Sequence, residues 1–312
     1  MNELPFDLIF EIFQLSSTHV RETCKLFRQL YDESNTSLSL KSLDELEIVP
    51  RTPNLEKLEL RGIDDYCIDT IIKNIKNIKK LKHLIIQRGP FKDIFWLSNT
   101  QISYISSCIG LESLYINSVG LSDISAIGEC KSLKSLVLKS KSVTNFNPLK
   151  ECKLLKELSL SDCYPIDDLS FLKNLTELEY LNIDGCFLIK DINILKHCEK
   201  LKEFSMIFCK NIHDISILKH CHNLEYLTID KCYGITDISI IPNLGLKSLS
   251  LSSCYEIVDF APLKNCTTLE YLNVGYNGRR IHMDILPNCK FIDSFTIFGN
   301  TYIDLPDLLS LY

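Results

Sequence analysis

The chain of 312 residues carries fourteen cysteines and seven histidines, the residue types that hold metals, form disulfides or act as nucleophiles. Their spacing points elsewhere. Cys163, Cys186, Cys209, Cys232 and Cys254 follow one another at intervals of 23, 23, 23 and 22 residues. A second series, Cys130, Cys152, Cys198, Cys221, Cys266 and Cys289, keeps the same period, and Asn174 and Asn243 are expected to fill its two gaps. No Cys-x2-Cys pair occurs, and His197-Cys198 and His220-Cys221 are one repeat apart, so they are equivalent positions rather than a ligand set. We therefore expect no metal, no cofactor and no disulfides. Each ladder thiol reads as a compact, fairly apolar filler of a buried turn, with an S–H able to donate weakly to a carbonyl of the next coil.

Other chemistry is equally thin. The sequence has no phosphate loop, no Gly-x-Ser-x-Gly elbow and no His-Glu-x-x-His pair, and its acids fall at repeated positions, so the chain reads as a non-enzyme. A formal charge of −6 with no block of like charges argues against nucleic acid as a partner. No run of eighteen apolar residues and no basic, then apolar leader is present, which predicts a cytoplasmic or nuclear protein without a membrane partner. With 46% hydrophobic residues there is ample material for a long core.

The elements that position the cysteines come from a second pattern in phase with them. Anchors of the form Leu-x-x-Leu-x-Leu recur as Leu55/Leu58/Leu60, Leu81/Leu84/Ile86, Leu111/Leu114/Ile116, Leu133/Leu136/Leu138, Leu155/Leu158/Leu160, Leu178/Leu181/Ile183, Leu201/Phe204/Met206, Leu224/Leu227/Ile229, Leu246/Leu249/Leu251, Leu269/Leu272/Val274 and Ile292/Phe295/Ile297. Alternate residues of a strand point to one face, so each anchor predicts a short strand whose leucines are buried only when another coil stacks on it. Ser39 to Ile48 reads as one more strand-like anchor, too close to Leu55 for a full coil. Between anchors, Asp123, Asp168, Asp191, Asp214, Asp237 and Asp259 head short segments, where a carboxylate can cap a 3-10 turn by accepting from an N–H two or three residues on. Pro148, Pro242 and Pro262 favour short turns over helices, and Ile68 to Ile78, apolar at helical spacing, predicts the one convex helix.

The anchors resemble the leucine-rich-repeat family, and the Ile-x-Asp-Ile segments resemble the internalin-like repeats. The resemblance implies an α/β solenoid, a right-handed horseshoe with short parallel strands on its concave face and mostly 3-10 or irregular segments on its convex side. At the amino terminus Leu4-Pro5, Leu8, Ile9 and Ile12, then Val20, Cys24-Lys25, Phe27-Arg28 and Leu30, resemble the F-box. The stretch between its two halves is shorter than usual by about four residues, one helical turn. This resemblance implies a small helical cap whose apolar positions Leu4, Pro5, Leu8, Ile9, Ile12, Val20, Cys24, Phe27 and Leu30 contact a Skp-type adaptor of a cullin ubiquitin ligase. The bland alternative is an amphipathic cap that only shields the end of the solenoid. The expected organisation is an F-box-like segment over 1–35, a junction with a capping strand over 36–54, and about eleven coils over 55–312.

What remains for function is surface. Residues between the buried leucines face the concave side and form a Tyr, Ser and Asn surface suited to protein recognition. Tyr180, Asn182, Asp184, Glu203, Ile207, Tyr226, Thr228, Asp230, Tyr271 and Asn273 are the candidate contacts with a target protein whose identity the sequence does not disclose. Tyr164, Phe187, Tyr233 and Tyr255, each just after a ladder cysteine, are expected to stack along one edge.

Overall fold

The structure, a computed structural model, describes residues 97–275 without a break, together with 37–40, 55–61, 72, 73, 75, 78–87, 277, 291–292, 296–297 and 301–302. Its described strands are β1 (Ser37–Leu40), β2 (Lys57–Arg61), β3 (His83–Gln87), β4 (Ser113–Asn117), β5 (Ser135–Lys139), β6 (Glu157–Ser159), β7 (Tyr180–Asn182), β8 (Glu203–Ser205), β9 (Tyr226–Thr228), β10 (Ser248–Ser250), β11 (Tyr271–Asn273), β12 (Phe291–Ile292), β13 (Thr296–Ile297) and β14 (Thr301–Tyr302). The first twelve form one parallel sheet in strict sequence order, so each strand hydrogen-bonds only to the coil before and the coil after. That is a solenoid with the strands along one wall.

The Leu-x-Leu alternation explains the register. Leu58, Leu84, Leu114, Leu136, Leu158, Leu181, Phe204, Leu227, Leu249 and Leu272 lie side by side across the sheet, and all are buried. Phe204 and Met206 replace aliphatic anchors in one coil and are buried like the rest, so total volume matters here more than identity. β1 lies at Ser37–Leu40, with Leu38 opposite Leu58, 20 residues ahead of its partner; of the Ser39 to Ile48 anchor only Ser39 and Leu40 are among the described residues. At the other end Ile292 pairs with Leu272, where the anchor spacing had put Phe295, and Ile297 belongs to an antiparallel β13–β14 pair. Apolar residues at both Ile292 and Phe295 can fill the slot opposite Leu272, so periodicity alone does not choose between the registers.

On the return path, 3-10 turns occupy Ile127–Glu129, Asn147–Glu151, Ser170–Asn174, Asn193–His197, Ser216–His220, Ile241–Leu244 and Ala261–Asn265. The expected aspartate caps are present. Oδ1 of Asp168, Asp191, Asp214, Asp237 and Asp259 accepts from the backbone N–H two residues on at 2.6–2.8 Å, and Asp123 does so at 2.9 Å. The second cysteine series closes these turns: Cys130, Cys152, Cys198, Cys221 and Cys266 are C-cap residues. Here the asparagine assignment fails. Leu175 is the C-cap and is buried, and the later turn ends on buried Leu244 followed by a left-handed Gly245 C-cap, whereas Asn174 and Asn243 are exposed. The slot is apolar, so leucine substitutes for cysteine and an amide does not. Cys108, which the sequence reading left out of the series, occupies the same C-cap position one coil earlier.

The convex helix expected at Ile68 to Ile78 falls largely outside the described residues, although Ile72 and Lys73 are helical and Ile72, Ile75 and Ile78 are buried. A helix the periodicity did not flag, α1 (Asn99–Ser103), is held by a capping box. Ser98 Oγ accepts from the Gln101 N–H at 3.2 Å, and Gln101 Oε1 accepts from the Ser98 N–H at 2.8 Å.

Candidate interaction surface

The thiols are structural partners. The Sγ of Cys163, Cys186 and Cys209 lies 3.3, 3.2 and 3.2 Å from the carbonyls of Leu138, Leu160 and Ile183, and that of Cys232 and Cys254 lies 2.8 Å from those of Met206 and Ile229. Each donates to the preceding coil, not to the next as the sequence reading had it. The reason lies one residue earlier. Asp162, Gly185, Phe208, Lys231 and Ser253 all have left-handed backbones, with φ between 58° and 75°, and their N–H groups donate forward to carbonyls of Asp184, Ile207, Asp230, Ser252 and Gly275. The backbone serves the next coil, so the side chain that follows is left to serve the previous one.

The ladder extends beyond its cysteines. Ser118 accepts from the Leu97 N–H at 2.8 Å, Ser140 donates to the Leu121 carbonyl at 2.7 Å, and buried Asn277 donates to the carbonyls of Leu251 and Val274 while accepting from the Cys254 N–H. Ser140 and Asn277 stand 23 residues from the first and last cysteines of that ladder and Ser118 stands 22 before Ser140, which was the signal that could have found them. Eleven described cysteines are free thiols and all are buried. Burial pushes those of Cys163, Cys209 and Cys254 up to about 12 and raises Cys186 and Cys232 as well, so none is a ready nucleophile. Among the described residues no group of three or more His, Cys, Asp or Glu side chains is arranged to hold a metal, and no helix is long and apolar enough to cross a membrane.

The open face of the sheet is built in columns. The first runs Glu157, Tyr180, Glu203, Tyr226, Ser248, Tyr271 and the second Ser159, Asn182, Ser205, Thr228, Ser250, Asn273. Tyr180, Asn182, Thr228, Tyr271 and Asn273 are half-buried, Glu203 is exposed, and Tyr226 is 44% exposed. Ile207 is half-buried too, in the third column with Asp184 and Asp230. Those two aspartates serve the fold. Asp184 Oδ1 accepts from the Ser205 hydroxyl and the Ile207 N–H, both at 2.7 Å, and its Oδ2 accepts from Asn182 at 2.8 Å. Asp230 Oδ1 accepts from the Ser250 hydroxyl at 2.6 Å and the Ser252 N–H at 2.8 Å. Glu157, absent from the sequence-derived set, stands one coil before Tyr180 and is exposed; carrying the anchor frame back one coil would have included it.

A charged ladder borders the first column. Lys134 pairs with Glu112 at 2.7 Å, Glu179 holds both Lys156 at 3.1 Å and Lys202 at 2.6 Å, and Lys247 pairs with Glu225 at 2.8 Å. The hydrogen bond from Lys202, then that from Lys156, holds the Glu179 carboxyl down to about 2. Along the edge beyond the ladder cysteines, Tyr164 and Phe187 lie 5.4 Å apart and Tyr233 and Tyr255 5.7 Å apart. Lys210 separates the two pairs, its Nζ 5.7 Å from the Phe187 ring. Tyr233 and Tyr255 stack as expected, Tyr164 and Phe187 meet at a tilt of 31°, and one cation stands between the two pairs.

Comparison with known proteins agrees with this geometry. Residues 153–197 match the family described as leucine-rich repeats in two copies. The crystal structure of an internalin (inlF) from Listeria monocytogenes is similar with a TM-score of 0.61 at 24% identity, covering 86% of this chain and 80% of that one. A leucine-rich-repeat protein of Leptospira interrogans gives 0.51 at 17% identity, covering 80% and 74%. The fold is a leucine-rich-repeat solenoid. No curated protein matches the solenoid chain in sequence. The F-box-like positions Leu4, Pro5, Leu8, Ile9, Ile12, Val20, Cys24, Phe27 and Leu30 lie outside the described residues of this solenoid and outside the matched segment 153–197.

Proposed function

We propose that this solenoid is a protein-interaction module that holds a target protein on its concave face, with Tyr180, Asn182, Glu203, Ile207, Tyr226, Thr228, Tyr271 and Asn273 as contacts and Asp184 and Asp230 shaping the floor. The observation that supports it most is the division of labour between faces: the leucines of β2–β11 are consumed by the core, while the outward columns present Tyr180, Tyr226, Tyr271, Asn182 and Asn273 in register. The finer reading is a substrate-recognition adaptor of a cullin ubiquitin ligase in the cytoplasm or nucleus. It rests on the resemblance of Leu4-Pro5, Leu8, Ile12 and Cys24-Lys25-x-Phe27-Arg28 to the F-box. In that role no residue of this chain performs the chemistry; it brings a target within reach of the ligase.

Affinity capture with the full chain tests both levels. Replacing Leu8, Ile12 and Phe27 together by Ala should abolish retention of a Skp-type adaptor and leave target retention intact, because such anchors commonly carry more than about 2 kcal/mol each. Tyr180→Ala with Tyr226→Ala should do the reverse. A wild-type chain that holds a target but no adaptor at micromolar concentration refutes the ligase role and leaves a stand-alone interaction or inhibitory module. Target retention indifferent to both tyrosines refutes the concave surface.

A further inference from the structure

The outward first column of β6–β9 alternates carboxylate and phenol: Glu157, Tyr180, Glu203, Tyr226. Neighbouring strands lie about 4.8 Å apart, so both sides of the Tyr180 ring are bordered by acids and one side of Tyr226 is. The bordering lysines are not ion-paired with them. Lys156 and Lys202 are both engaged by Glu179, and Lys247 by Glu225, whereas among the described residues Glu157 and Glu203 make no ion pair. In the third column Asp230 spends one oxygen on Ser250 and Ser252, and its other oxygen takes no hydrogen bond among the described residues. The sign is local. On β5 the residue paired with Glu157 is Ser135, and further along that strand the outward residue is Lys139, beside Asn117, so the negative region begins only past that strand. The Tyr180 hydroxyl registers it: burial first, then the charges of Glu203, Asp184 and Glu157, hold its pKa above the ordinary value.

We infer that this sheet face, from β6 to β9, accepts an extended cationic segment of the target, its arginine or lysine side chains lying over Tyr180 and Tyr226 with their charges between Glu157, Glu203 and Asp230. The inference rests on the concave face being the target surface and adds the class of ligand. Charge complementarity selects the occupant. A cation over a phenol ring gains from the ring quadrupole and from the flanking carboxylates at once, while an acidic segment over the same rings meets carboxylates of its own sign. An apolar helix is disfavoured because its burial would desolvate Glu157 and Glu203 with nothing to pair them.

Three fluorescein-labelled peptides of twelve residues, alternating Arg/Ser, Glu/Ser and Leu/Ser, are titrated with the full chain by fluorescence anisotropy at low salt. The Arg/Ser peptide should bind at least about tenfold more tightly than the Glu/Ser peptide, and raising the salt should weaken it. Glu157→Gln with Glu203→Gln should weaken it by about fivefold or more. Tyr226→Leu should weaken it severalfold and Tyr226→Phe should not, a contrast that diffuse attraction between charges would not produce. Urea midpoints of the variants confirm that each is folded. Arg/Ser binding that is absent, no tighter than Glu/Ser, or indifferent to these substitutions overturns the proposal. If the Leu/Ser peptide binds best and is lost with Tyr226→Leu, the concave face is a target surface and the cationic class is wrong. If no peptide responds to any of these substitutions, both readings fall.

Discussion

Leu227 and Tyr226 are neighbours on β9 with opposite fates, and truncating each tests the facing of the whole sheet. Leu227 is 1% exposed and lies between Phe204 and Leu249 in register; Tyr226 is 44% exposed between Glu203 and Ser248. Leu227→Ala removes three carbon-equivalents from the core, about 2.4 kcal/mol at about 0.8 kcal/mol per methylene. The hole that remains adds to this, because coils stacked on both sides cannot collapse into it, and the total should fall at about 3–5 kcal/mol. Tyr226→Ala loses part of a half-covered ring and leaves no cavity, at a cost of about 1 kcal/mol. Urea unfolding followed by far-ultraviolet circular dichroism measures both as a displacement of the midpoint at constant slope. A slope that falls for Leu227→Ala would show the array parting into independently melting halves, which nearest-neighbour coupling permits at an interior coil. A Tyr226→Ala cost equal to or above that of Leu227→Ala would refute the assigned facing.

Of the fourteen cysteines, eleven are buried free thiols, so under native conditions a bulky maleimide should label quickly at most the other three, Cys24, Cys67 and Cys289, and all fourteen in denaturant; rapid labelling of more than three contradicts the ladder. The Glu179 carboxyl, held to about 2 by Lys202 and Lys156, should titrate by carbon-detected NMR far below its usual 4.5. Because the folded value is the depressed one, its contribution to stability is fully present above pH 4.5 and is lost as pH falls toward 2; a normal titration removes the paired-ladder description. Gly234→Ala would place a Cβ 2.5 Å from the Ile212 carbonyl oxygen and 2.8 Å from that of Lys210, and should cost about 2 kcal/mol by overpacking. A urea midpoint unchanged from wild type would refute that close approach.

Much of this fold is legible because a solenoid repeats each physical demand. The alternation in Leu-x-Leu fixes which residues turn inward, so the outward placement of Tyr180, Tyr226 and Tyr271 followed from their neighbours, and Asp214 and its equivalents announced the capped turns. What escaped is what the repeat disguises. Cysteine, leucine, serine and asparagine all occupy ladder positions, and only the burial of each slot separates a true member such as Leu175 or Asn277 from a bystander such as Asn174. The direction of thiol donation depended on left-handed residues that include Phe208, Lys231 and Ser253, types that carry no glycine-like warning of such a conformation. The unpaired charge of Glu157 and Glu203 became visible only when Lys156 and Lys202 were found reaching for Glu179 instead.

The strict sequence order of the parallel sheet has a mechanical corollary. Leu114 pairs with Leu136 and Leu158 with Leu181, and from β4 to β11 consecutive strands are joined through only 22 or 23 residues of chain. Tension applied at the two ends pulls along the stack and peels one coil from the next, instead of shearing many strand hydrogen bonds together. Each coil released pays out about 70–80 Å of extended chain. Stretched in an optical trap, the molecule should lengthen in near-equal increments at modest force, a ratchet of short steps, and re-form them one at a time when the load is relaxed.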